Sequence, residues 1–290
     1  MLSFVLRNTK TKQPMQLSRD KVIAIYCIVD DMLKAIRHPE DTRRRVSDSE
    51  VITTALVSAI YFGGHHEHAI GFMRATSLMP SMLSRSRFCR RIHQVGQLLI
   101  EIFMQLGGLI KNMTAELQYI LDSFPVAVCD NIRILRSKIL KGNKWRGYTP
   151  SMRRYFYGVK VQLLISRTGI PIRFCFTPGK QGDVKSLARM IECLPAESQV
   201  YADSAYTDYQ LEDKFKQDFI FLRSQRKSNS KRPDTLEDAL MKTKNRKQVE
   251  AIISNIKKMF PKTIHAVTLN GFLIKLILFI FAAQFVKIIN

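Results

Sequence analysis

Two aspartates, one glutamate and the cations flanking the glutamate are the residues here whose types and spacing could do chemistry. Residues 243–260 read TKNRKQVEAIISNIKKMF, with Arg246 four residues before Glu250 and Lys257 seven after it. At about 3.6 residues per turn those offsets put all three in a narrow stripe on one helix face. A carboxylate between two cations suits a site that holds a metal ion and a phosphate together. Asp122 in YILDSF and Asp203 in VYADSAY each follow an apolar, strand-like run, so both are expected where buried strands end, at one sheet edge. Phosphodiester chemistry needs charge stabilisation on both the attacking and the leaving oxygen. Two divalent ions about 3.5–4 Å apart supply it, and carboxylates are their natural hard ligands. The acids are far apart along the chain, at 203 − 122 = 81 and 250 − 203 = 47 residues, so only a fold can gather them. An aspartate after a strand also serves as a turn former or helix cap, and Asp130, ending the next apolar run, rivals Asp122. The weight lies on the combination.

The elements that must position these groups fall into two sets. Residues 18–36 carry helical apolar spacing at Val22, Ile25, Tyr26, Val29, Leu33 and Ile36. Ser47 and Glu50 in SDSE form a capping box that opens a second helix to about Phe62, stopped by Gly63 and Gly64. A short helix near 67–75 and a longer one over 85–110 follow. From residue 117 the pattern changes. LQYILDSF and PVAVCDN read as strand and strand end, and GVKVQLLIS and IPIRFCFTP as a hairpin joined by RTG. DVKSLARMIECL is a helix capped by Asp183. A strand at 198–203, a helix at 207–215, a strand at 218–224, a polar loop at 225–234 and helices at 237–259 and 269–289 complete the chain. The order predicts an all-helical N-terminal domain over 1–115, followed over 116–290 by an α/β domain, a mixed sheet with helices on its faces.

The segments Asp122-Ser-Phe-Pro, Tyr201-Ala-Asp203-Ser-Ala-Tyr206 and Arg246-x-x-x-Glu250 followed by Lys257 resemble the DDE transposases of bacterial insertion sequences, most closely the compact insertion sequence 982 type. YFYGVKVQLLIS and FTPGKQGDVKSL are similar to that family's middle strands and following helix. The resemblance implies a ribonuclease H-like core in which Asp122, Asp203 and Glu250 are catalytic and bind two Mg²⁺ ions, with Mn²⁺ able to substitute. It also implies cleavage at the element's ends and attack of the freed 3′-hydroxyl on target DNA. The partners it implies are transposon-end and target DNA, a homodimer on that DNA, no membrane and no small-molecule substrate, in the bacterial cytoplasm near the nucleoid. In the wider signature, a tyrosine precedes the arginine by three residues; Thr243 stands there instead. The 47-residue gap before Glu250 leaves no room for the strand-rich insertion of some relatives.

Charge and composition agree with a polyanionic partner. The 290 residues hold 46 Lys and Arg against 24 Asp and Glu, a net +22, and 46 % of them are apolar. Five scattered cysteines without a CxxC pair read as free thiols. MLSFVLRNTKTK turns polar too soon for a secretory signal, and FLIKLILFIFAAQFVKII is broken by lysines and a glutamine, so it reads as a buried closing helix. Residues 131–160 carry nine Lys or Arg and no acid; Lys144, Trp145 and Arg146 are expected to bind DNA there, while Phe156 packs inward. The SRSRFCRRIHQ helix offers Arg87, Arg90 and Arg91 as a possible second helix of a helix-turn-helix. His65, His66 and His68 lack partner cysteines for zinc. A nuclease of the same fold that cuts without joining, and a DNA-binding protein that has lost catalysis, remain as alternatives.

Overall fold

The structure is a computed structural model that describes residues 17–150, 153–227, 229–261 and 263–289, with only the backbone of 244–249. The sequence segment weighed as a secretory signal lies outside the described residues. Five helices come first: α1 (Arg19–Ala35), α2 (Asp48–Tyr61), α3 (His66–Ala75), α4 (Arg85–Gln94) and α5 (Gly96–Thr114). The capping box of α2 forms as expected: Glu50 N–H donates to the Ser47 hydroxyl at 3.1 Å, and Ser47 N–H to the Glu50 carboxylate at 2.7 Å. The helix expected over 85–110 is two helices meeting at Val95. At the junction a Cβ on Gly96 would lie 3.1 Å from Ile274 Cδ1 of the closing helix, so the glycine leaves room for that side chain. The α3–α4 connection, residues 76–84, is longer than the three- or four-residue turn of a helix-turn-helix. Arg74 ties it down by donating to the Met82 carbonyl.

The mixed part comprises β1 (Gln118–Cys129), β2 (Arg146–Thr149), β3 (Arg154–Ser166), β4 (Pro171–Pro178), α6 (Val184–Ile191), β5 (Gln199–Ala202), α7 (Tyr209–Gln217), β6 (Phe221–Ser224), α8 (Leu236–Met259) and α9 (Leu269–Ile288). One sheet has the order β2-β3-β1-β5-β6, with β4 also on β3. The β1–β3–β4 pairs are antiparallel and the β1–β5–β6 pairs parallel. This is an α/β, ribonuclease H-like sheet behind a helical N-terminal region, as the resemblance implies. The 117–131 stretch, expected as strand and strand end, forms the single strand β1, with a bulge between Ala127 and Cys129. β5 covers β1 only over Gln118–Leu121, so Pro125 falls where β1 has a partner on one side alone, a place that tolerates its missing N–H.

Alternation along the strands sorts side chains between two apolar layers. Ile120, Phe124, Val161 and Leu163 face the layer that also holds α1–α5, α8 and α9. Tyr119, Leu121, Val200 and Leu222 face the opposite layer, with α6 and α7. Helical and mixed regions change over between Thr114 and Gln118, near the expected boundary, but the first layer runs through that point without interruption. At Gly107 of α5 a Cβ would lie 2.6 Å from the Ile172 carbonyl oxygen of β4; only a glycine allows that helix so close to the sheet. α9 is long and apolar enough to cross a membrane by length and composition, yet 72 % of that stretch is buried within the fold. Its buried Gln284 donates to the Pro171 carbonyl at 2.9 Å. It is a core helix. None of the five cysteines is in a disulfide.

Candidate active site

Leu121 on β1 pairs with Ala202 on β5 in a parallel register. One residue further along each strand stand Asp122 and Asp203, so the two carboxylates occupy neighbouring positions on adjacent strands and share a face. That face is the one opposite Leu121, Val200 and Ala202, and α8 lies across it. Asp122, Tyr201, Asp203, Arg223, Gln225, Lys242 and Glu250 line one open cleft there. The acids separated by 81 and 47 residues therefore meet at one concavity.

Asp122 is half-buried within β1, opposite Leu163 of β3, and Ser123 N–H donates to its carboxylate at 2.7 Å. Its pKa rises from 3.8 to about 6. Burial is the chief cause; the charges of Asp203 and Asp183 add to it, while the Ser123 hydrogen bond and the Lys257 ammonium resist. Asp203 is exposed and begins the 3₁₀ turn Ser204–Tyr206, where its carboxylate accepts from Ser204 N–H. Lys257 comes from α8, with its ammonium 5.2 Å from the Phe124 ring centroid. Partial burial lowers its pKa and the Asp122 charge raises it again. Arg246 falls in the same stripe of α8 by helix geometry, but its side chain lies outside the described residues.

Asp122, Asp203 and Glu250 are hard oxygen donors of the kind divalent cations take, and the repulsion that lifts the Asp122 pKa is what a cation between the aspartates relieves. Among the described residues, however, no group of three His, Cys, Asp or Glu side chains is gathered to hold an ion. The donor chemistry of the three carboxylates fits a divalent cation, and Glu250 lines the same cleft as the aspartates.

Behind the aspartates, on the sheet's other face, runs a buried polar chain. Tyr206 donates to the Gln162 side-chain carbonyl, and Gln162 Nε2 donates to Asp183 at 2.6 Å. Lys160 also donates to Asp183, at 3.2 Å. Asp183 was expected to cap α6. It holds the N-cap position, but its carboxylate accepts from β3 instead of from the helix. Gln162 and Tyr206 are fully buried, and burial, with the Asp183 and Asp122 charges, pushes the Tyr206 hydroxyl well above its ordinary pKa. This chain locks β3 to the turn that follows Asp203.

Asp130 is exposed, past the end of β1 and outside the cleft. It follows Asp122 by eight residues, which is about 26 Å along a strand. Asp208 caps α7, accepting from Gln210 and Leu211 N–H. Lys144 and Arg146 are exposed, whereas Trp145 is half-buried against the core. Arg87 and Arg90 project from α4 into solvent. Arg91 turns inward to Asp48 at 2.6 Å. Burial raises the Asp48 pKa, but His38 and Arg91 outweigh that and hold it below its ordinary value. Of the histidine trio, His66 packs on Phe88 and meets the Ser58 hydroxyl at 3.0 Å.

Sequence reasoning missed Lys242, Arg223 and Gln225 as cleft residues. Lys242 is buried and donates to the Ser224 carbonyl at 2.8 Å and to Asp234. The signal was present: Lys242 lies eight residues before Glu250, one turn further along the stripe that contains Arg246. Arg223 and Gln225 come from the end of β6 and carried no comparable periodic mark.

Neither a curated protein nor a solved structure matches the chain. A family model, the transposase DDE domain, matches residues 112–266. That match begins at the end of α5, takes in both strands that bear the aspartates and the whole of the helix that bears the glutamate, and covers more than half of the sequence, so the chain belongs to the DDE transposases.

Proposed function

We propose that this transposase cuts DNA at the ends of its mobile element in a divalent-metal-dependent reaction and joins the freed 3′-hydroxyl strand to target DNA. Asp122, Asp203 and Glu250 are the catalytic carboxylates. The observation that carries this reading is the side-by-side emergence of Asp122 and Asp203 at the end of the β1–β5 pairing, facing Glu250 across one cleft in a protein of net charge +22.

Asp122, Asp203 and Glu250 would hold Mg²⁺, which supplies Lewis-acid stabilisation of the attacking and leaving oxygens when bound. Glu250 would complete the oxygen donor set from α8, which lines the same cleft. Lys257, Arg246 and Arg223 draw phosphate into the cleft and oppose the charge that develops on it. Lys242, held by Ser224 and Asp234, fixes α8 to the end of β6 and so sets the width of the cleft. Lys144, Arg146, Arg87 and Arg90 contact phosphates outside it.

Nicking and strand-transfer assays on element-end DNA with Mg²⁺ test this. Asp122→Asn, Asp203→Asn and Glu250→Gln should each abolish cutting, by at least about 10³-fold as expected when charge stabilisation at a reacting phosphate is lost, while end binding survives. Cutting that persists in any of the three removes that residue from the site. Wild-type protein that cuts without joining is a nuclease, and one that binds without cutting is a DNA-binding protein only.

A further inference from the structure

The outer end of the β2–β3 ribbon has one dry and one wet face. Gly147 and Phe156 are buried on the first. On the second, Tyr148 and Tyr155 stand directly opposite one another, 4.9 Å between ring centroids, and are 46 % and 52 % exposed. The Arg146 guanidinium lies 5.2 Å from the Tyr155 centroid. Two large aromatic rings held in water beside an arginine are not explained by packing. The surrounding chain is cationic: residues 131–160 contain nine Lys or Arg and no Asp or Glu, and Arg133, Arg136, Lys144 and Arg154 are exposed.

From this geometry we infer that the ribbon end is a stacking platform for unpaired DNA. The cations draw in the phosphate backbone, and Tyr148 and Tyr155 receive base faces. Those faces are accessible in a single strand and covered in a duplex, so the tyrosines discriminate between the two forms where the cations do not. Tyr155 precedes Leu163, the partner of Asp122, by eight residues of β3, about 26 Å along the strand. The platform therefore handles DNA outside the cleft and touches no reacting phosphate. The inference rests on DNA being the ligand of this transposase, not on the three carboxylates being its catalysts.

Fluorescence anisotropy of the full chain, in chelator without metal, tests it with a labelled oligothymidylate and a blunt duplex of equal length. Tyr148→Ala and Tyr155→Ala should each weaken oligothymidylate binding about tenfold. Their duplex binding should hold, and Tyr148→Phe and Tyr155→Phe should bind both probes as the wild type does. Alanine variants that keep full oligothymidylate affinity, or that lose both probes equally, overturn the platform. If metal-dependent cutting is absent from the wild type while the tyrosine effect stands, the proposed chemistry fails and the platform does not.

Discussion

Asp122 carries an electrostatic load in the metal-free protein. Its folded pKa of about 6 lies above its ordinary 3.8 because burial and Asp203 disfavour its charge. Well below pH 3.8 the carboxyl is neutral whether the chain is folded or not, and no cost arises. Between 3.8 and about 6 the unfolded chain loses the proton first, so stability falls; above about 6 the full cost is present. At about 1.4 kcal/mol per pKa unit, it is on the order of 3 kcal/mol. Asp122→Asn is therefore expected to stabilise the metal-free protein by about that amount at pH 8 and to leave it unchanged well below pH 3.8, read by urea denaturation. In Asp203→Asn the Asp122 pKa should drop part of the way to 3.8, read by NMR titration of its carboxyl carbon. An Asp122 pKa that stays at about 6 would show that burial alone sets it.

The elements hold the aspartates together through the buried chain behind them. Tyr206→Phe removes one hydroxyl and leaves a Gln162 acceptor buried without a donor, which costs about 1–3 kcal/mol. The turn that follows Asp203 then loses its tie to β3. Cutting should fall, DNA binding should hold, and the metal concentration needed for half-maximal cutting should rise; an unchanged metal requirement would reduce the chain to fold support. This tie was not legible in the sequence. Tyr206 was visible only as part of a motif, and Asp183 read as a cap because position, not direction of the side chain, is what a sequence displays. By contrast, the α8 stripe was legible, because helical period alone places Arg246, Glu250 and Lys257 together. Its extension to Lys242 follows the same period. The strand of Asp122 was half legible: apolar alternation marked it, but its run through Pro125 depends on β5 being only four residues long, which local sequence does not state. The split of the 85–110 helix at Val95 carried no mark in the apolar spacing of 85–110.

Across the whole molecule, the change from helical to mixed structure is sharp in sequence and absent from the core. α2 and α5 cover α9, and α5 sits against β4 at Gly107. A fragment that starts at residue 116 would present much of α9 and one side of β4 to water, an apolar patch beyond what soluble monomers carry. Such a fragment should aggregate, or lack near-ultraviolet circular dichroism, where the full chain gives a cooperative transition. A soluble fragment with a sharp melting transition would support the two-domain division at 115. The closing helix also has a consequence for inheritance. Because α9 packs against α2, α4 and α5, neither α9 nor the helical region can be traded between relatives without the other. Recombination that swaps only the helical region should leave a misfitting seam, and that region and α9 are bound to evolve in step.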